Sequence, residues 1–146
     1  MADREQLTIG ALARRTGCKV QTVRYYEQIG LMPRPRRTQG AQRRYARRDL
    51  ERLGFIRHAR ELGFSLESIR GLLRLTDEPE RSCEAADAIA QAHLAEIESR
   101  IGRLEALKAE MQRMIAECRG GRVADCRVIE VLAAHEHELC LTDDHG

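Results

Sequence analysis

The chain has 146 residues, of which 42% are hydrophobic and 3% aromatic, with no Trp and no apolar run of 18 residues. That allows one domain, or one small domain with an appendage, and excludes a helix crossing a membrane and a large aromatic core. The net charge of +2 hides an asymmetry: residues 1–75 carry 17 Lys/Arg against 7 Asp/Glu, a net +10, and residues 76–146 carry a net −8. A front half this basic points to a polyanionic partner, whereas the acidic back half argues against a chain that coats nucleic acid uniformly. Met1-Ala2-Asp3-Arg4-Glu5 has no apolar signal region, so a cytoplasmic, reducing location is the expectation. There, five Cys read as thiols or metal ligands rather than as a disulfide framework.

The front half reads as helices. Thr8 is placed to cap a first helix with Ile9, Leu12 and Ala13 inward, ending at Gly17. A second helix carries Val20 and Val23 at helical spacing and ends near Gly30. Two short helices joined by a tight Gly-containing turn form a helix-turn-helix, although by itself that pattern is shared by many helical hairpins. Its second helix would present Lys19, Gln21, Thr22, Arg24 and Tyr25, residue types that reach base edges and phosphates. Cys18 in this region reads as structural.

Residues 33–45 hold two Pro, one Gly and five Arg, which interrupts any continuous helix. Gly40 suits the turn of a two-stranded wing, with Arg43, Arg44 and the Tyr45 hydroxyl as DNA contacts. Asp49 is expected to cap a third helix with Leu50, Leu53, Ile56 and Ala59 inward, ending at Gly63. Arg57 and His58 on it read as surface or phosphate contacts. Ser65 caps a fourth helix with Leu66, Ile69, Leu72 and Leu73 inward.

Residues 76–82, with Pro79, form a linker. Between Glu84 and Glu117 there is no Pro, and Gly102 is the one Gly. Ala90, Leu94, Ile97, Ile101, Leu104, Met111, Ile115 and Cys118 fall on a heptad seam that Lys108 interrupts. A long helix with so narrow an apolar stripe needs a partner helix, and no other segment here is long enough. The partner is then a second copy, giving a coiled-coil homodimer suited to two-fold-related half-sites on DNA.

Cys83 opens this helix and Cys118 closes it, so within one chain they lie roughly 50 Å apart. In an antiparallel pairing, Cys83 of one chain approaches Cys118 and Cys126 of the other. Cys118 and Cys126 flank a seven-residue loop containing Gly120 and Gly121. Three thiolates converging on one soft cation is sound coordination chemistry, against the alternative of three unrelated thiols.

Several segments together resemble the MerR family of bacterial regulators: Leu7-Thr8-Ile9-Gly10-Ala11-Leu12-Ala13, Thr22-Val23-Arg24-Tyr25-Tyr26-Glu27, Gly30-Leu31-Met32, Arg43-Arg44-Tyr45, and the run from Phe55 to Ile69. The resemblance spans nearly the whole chain. It implies a mainly α fold: a winged helix-turn-helix DNA-binding domain over residues 1–75, a linker over 76–82, an antiparallel coiled-coil dimerisation helix over 83–118, a metal-binding loop and short helix over 119–134, and a tail over 135–146. It also implies a mechanism. The dimer sits on double-stranded promoter DNA whose polymerase elements are spaced too far apart. Metal binding shifts the heads and distorts the DNA until RNA polymerase can engage both elements, at a coupling cost of a few kcal/mol.

The resemblance narrows the inducer too. Family sensors of monovalent copper and silver carry Ser at the position of Cys83, since two thiolates suffice for a linear ion. Sensors of cadmium, lead, mercury and zinc carry Cys there. The inducer implied is a divalent soft metal, cadmium, lead, mercury or zinc, although the loop has the length usual in copper sensors and lacks the paired Cys and the His of zinc sensors, and zinc prefers four ligands. The tail offers His135, His137 and Cys140 as an auxiliary site, or is simply an acidic tail. A copper, redox or drug sensor on the same scaffold is the alternative. No nucleophile–base pair, HExxH or phosphate loop is present, so the chain does not read as an enzyme.

Overall fold

The computed structural model describes residues 6–37, 43–118 and 120–134. It forms two compact units, one through residue 89 and one from residue 90 onward.

In the first unit, α1 (Ile9–Thr16) starts where the Thr8 hydroxyl accepts the Ala11 N–H at 3.1 Å and stops at Gly17. After a three-residue turn comes α2 (Val20–Gln28). Two short antiparallel strands follow, β1 (Arg36–Arg37) and β2 (Arg43–Arg44), with Arg36 opposite Arg44 and Arg37 opposite Arg43. The turn expected at Gly40 lies outside the described residues. Leu7 and Tyr45 exchange backbone hydrogen bonds of 2.8 Å, which fastens the start of the chain to the end of the wing.

The third helix, α3 (Arg47–Glu61), begins earlier than the sequence reading placed it. Asp49 is therefore not the residue preceding the helix. It stands in the first turn, and its carboxylate reaches back to accept the Ala46 N–H at 2.7 Å, meeting a donor the helix start leaves free. The fourth, α4 (Leu66–Thr76), is capped by the Ser65 hydroxyl, which accepts the Ser68 N–H at 3.1 Å. The core gathers one stripe from each element: Leu12 from α1, Val23 from α2, Leu53 and Ile56 from α3, Ile69 and Leu73 from α4, with Leu31, Met32 and Tyr45 between them.

Three arginines hold the joints of this unit. The Arg57 guanidinium donates to the Thr16 carbonyl at the end of α1 and lies where a side chain on Gly17 would stand. Arg70 donates to the Ile29 carbonyl at 2.6 Å, just past α2, and Arg52 to the Leu31 carbonyl at 2.7 Å. Helix C-termini expose unpaired carbonyls and a partial negative charge, so cations suit these places.

α5 (Glu84–Glu117) runs 34 residues, about 50 Å at 1.5 Å per residue. Leu94, Ile97, Ile101, Leu104, Met111 and Ile115 along it are exposed in the single chain, Leu104 to 63% and Ile115 to 62%. After α5 the chain reverses through Gly120 and Gly121, whose φ values of 74° and 101° are left-handed and favour Gly at both places. A single 3-10 turn (Val123–Asp125) leads into α6 (Arg127–Ala134).

Candidate DNA interface and metal centre

Helical geometry divides α2 into two faces. Val23, Tyr26 and Glu27 turn into the core, while Gln21, Arg24 and Tyr25 are exposed and Thr22 is half-buried. Lys19, just before the helix, is exposed. Gln21, Arg24 and Tyr25 share a concavity of about 780 Å³ with Arg34 and Pro35 from the approach to the wing. Arg34 is thus a cation of this face that helical spacing does not reveal, since it precedes the strands. Burial pushes the Tyr26 phenol above its ordinary pKa, partly opposed by the Arg60 charge, so it stays neutral.

Two of the expected contacts also have partners inside the fold. Tyr45 was expected to offer its hydroxyl to DNA, but it is 1% exposed, and that hydroxyl donates to the buried Glu27 carboxylate. Its ring fills the core, and a buried carboxylate needs that donor. Arg57, read as a surface or phosphate contact, is exposed, and its guanidinium also closes α1 and pairs with Glu61 at 3.1 Å. Arg44 is half-buried and His58 exposed. Arg43 lies on β2 opposite Arg37.

This division of labour sets an expectation for salt dependence. Arg24→Ala should lower the slope of log affinity against log salt by roughly one unit, because an exposed cation releases its phosphate's counterion. Arg70→Ala should instead destabilise the head at unchanged slope, because it orphans a helix-terminal carbonyl. Equal slopes for Arg24→Ala and the parent protein, measured by anisotropy across a salt series, would remove Arg24 from the interface.

At the other end, the loop after α5 folds back so that the Cys118 and Cys126 sulfurs stand 4.0 Å apart. Two thiolates on one tetrahedral zinc ion at about 2.3 Å would be separated by about 3.8 Å, so the pair stands close enough to hold one ion between the sulfurs. Cys126 directly precedes α6, and the N–H groups of Ile129 and then Val128 donate to its sulfur, holding its pKa below the ordinary thiol value. Anionic sulfur at a helix N-terminus is the form that binds metal. Outside the two thiols, Arg127 pairs with Glu117 at 2.7 Å and with Glu130 at 3.1 Å. Among the described residues, no group of three or more His, Cys, Asp or Glu side chains gathers in the single chain. Cys83, exposed, precedes α5 at its far end. His135, His137 and Cys140 lie outside the described residues.

Two family models match: MerR HTH family regulatory protein over residues 7–76, and MerR, DNA binding over residues 50–114. The chain is 42% identical over 127 residues to the HTH-type transcriptional regulator ZntR of Escherichia coli K12, covering 85% of this chain and 90% of that protein. The chain belongs to the MerR family. It is a metal-responsive transcription regulator of that family, in which the helix-turn-helix binds DNA. HmrR of Sinorhizobium medicae is 36% identical, with 87% and 86% covered. Among solved structures, the lead(II) complex of PbrR691 from Ralstonia metallidurans CH34 matches at a TM-score of 0.77 and 37% identity, covering 86% of this chain and 98% of that one. The mercury(II) complex of MerR from Bacillus megaterium MB1 matches at 0.68 and 27%, covering 87% and 99%. No helix among the described residues of this MerR chain is long and apolar enough to cross a membrane.

Proposed function

We propose that this regulator senses a divalent soft metal ion through Cys118 and Cys126 of one chain and Cys83 of a second, and activates a detoxification or efflux promoter. The observation that carries the reading is the 4.0 Å approach of the Cys118 and Cys126 sulfurs. It makes a two-thiolate half-site within reach of one ion. A third thiolate completes it for lead, mercury or cadmium, which accept three sulfurs, whereas zinc would seek a fourth ligand. The neighbours with bound lead(II) and mercury(II) support this choice.

The chain is organised as a DNA-binding domain over residues 1–75, a linker over 76–82, a dimerisation helix over 83–118, a metal loop and short helix over 119–134, and a tail over 135–146. The exposed seam of α5 packs on the antiparallel seam of a second copy, which brings Cys83 across to the partner's loop. Lys19, Gln21, Thr22, Arg24 and Tyr25, with Arg43, Arg44 and His58, meet double-stranded promoter DNA. Bound metal, which supplies a cross-link between the two chains, biases the heads toward the conformation that distorts the promoter for RNA polymerase.

Transcription in vitro from the promoter it occupies, against a panel of metal ions, tests the reading. A coupling of ordinary size gives roughly 5- to 150-fold induction by lead(II), cadmium(II) or mercury(II). Induction by copper(I) or silver(I) alone would overturn it.

A further inference from the structure

We propose that the Glu117–Arg127 ion pair is a clasp that preorganises the metal loop, a positioning pair that sets affinity for the ion without touching it. The inference rests on the cysteine reading above. Glu117 is the residue before Cys118 and Arg127 the residue after Cys126, so the pair closes the loop immediately outside both thiols. Arg127 Nε lies 2.7 Å from Glu117 Oε2, and its Nη1 lies 3.1 Å from Glu130 Oε1, so one guanidinium joins the end of α5 to the first turn of α6. Its side chain is 33% exposed, and that of Glu117 45%.

Between the thiols, Gly120 and Gly121 give the loop wide conformational freedom. Without the clasp, the ion itself would have to gather the two sulfurs and meet the ordering cost from its own binding energy. With it, the sulfurs already stand 4.0 Å apart. A half-exposed pair of this kind is worth up to about 1 kcal/mol, which corresponds to roughly fivefold in affinity.

Charge alone makes the opposite prediction for one partner, and that separates the two explanations. Removing the Arg127 cation should tighten binding of a divalent cation if only the local field mattered. If the clasp matters, Arg127→Gln weakens it. The experiment titrates full-length protein with lead(II) against a competing chelator, following the thiolate-to-metal absorbance. Glu117→Gln and Arg127→Gln should each bind roughly fivefold more weakly than the parent. Arg127→Lys, which keeps a cation within reach of Glu117 and Glu130, should bind more tightly than Arg127→Gln, and operator affinity should stay unchanged throughout. Tighter or unchanged binding by Arg127→Gln, or Arg127→Lys no better than Arg127→Gln, overturns the clasp. Cys118→Ser is the control on the underlying reading. If it binds lead(II) as tightly as the parent, the cysteine site falls whatever the clasp variants do.

Discussion

Homodimers of Cys83→Ser and of Cys118→Ser/Cys126→Ser should each lose tight metal binding, and a heterodimer of the two should regain one site. The reason is the length of α5. Its 34 residues span about 50 Å, far beyond the few ångströms over which ligands share an ion. Cys83, at the start of that helix, meets Cys118 and Cys126 only across an antiparallel pair of chains. In the heterodimer the intact Cys83 faces the intact Cys118 and Cys126, while the other site has lost all three thiolates. Metal titration of purified heterodimer should give half the stoichiometry of the parent dimer. Each homodimer should still bind operator DNA, because the substitutions lie outside the helix-turn-helix. A heterodimer without tight binding would mean that all ligands come from one chain, and the antiparallel pairing would have to be abandoned.

Ile101→Asp should break the dimer. Ile101 sits at the middle of the seam, half exposed in the single chain, between Ile97 and Leu104. An Asp there places one unpaired carboxylate from each chain in an apolar interface. A buried charge without a partner costs about 3–5 kcal/mol, which weakens association by at least about a hundredfold. Sedimentation at micromolar concentration should show monomer or unfolded chain. Ser99→Asp, on the opposite side of the same helix, should leave the dimer intact. A folded, undissociated dimer for Ile101→Asp would end the coiled-coil reading.

Local chemistry made much of the fold legible in the sequence. Thr8, Gly17 and Ser65 mark helix ends because capping involves donors and acceptors three or four residues away. The absence of Pro between Glu84 and Glu117 bounds α5 for the same kind of reason, and the heptad seam along it follows from a period of 3.5 residues. The eight-residue spacing of Cys118 and Cys126 around a double Gly reads in the sequence as a loop able to bring two thiols together, whether as metal ligands or not.

What only the tertiary structure decided concerns side chains whose partners lie far along the chain. Tyr45 has the composition of a DNA contact, yet its hydroxyl serves Glu27, 18 residues earlier. Arg57 reads as a surface or phosphate contact and Arg70 carries no signal in the sequence, yet each donates to a carbonyl 41 residues away, at the ends of the two helices of the DNA-reading motif. A basic sequence counts charges without saying which are consumed inside the fold. The joints of a small helical head demand cations at carbonyl-rich helix ends, and that demand appears only when the helices are packed. At the loop after α5 the division is similar. Spacing offered Cys118 and Cys126 as candidates, while the approach of the sulfurs, the helix N–H groups on Cys126 and the Glu117–Arg127 pair required the chain to reverse and α6 to form.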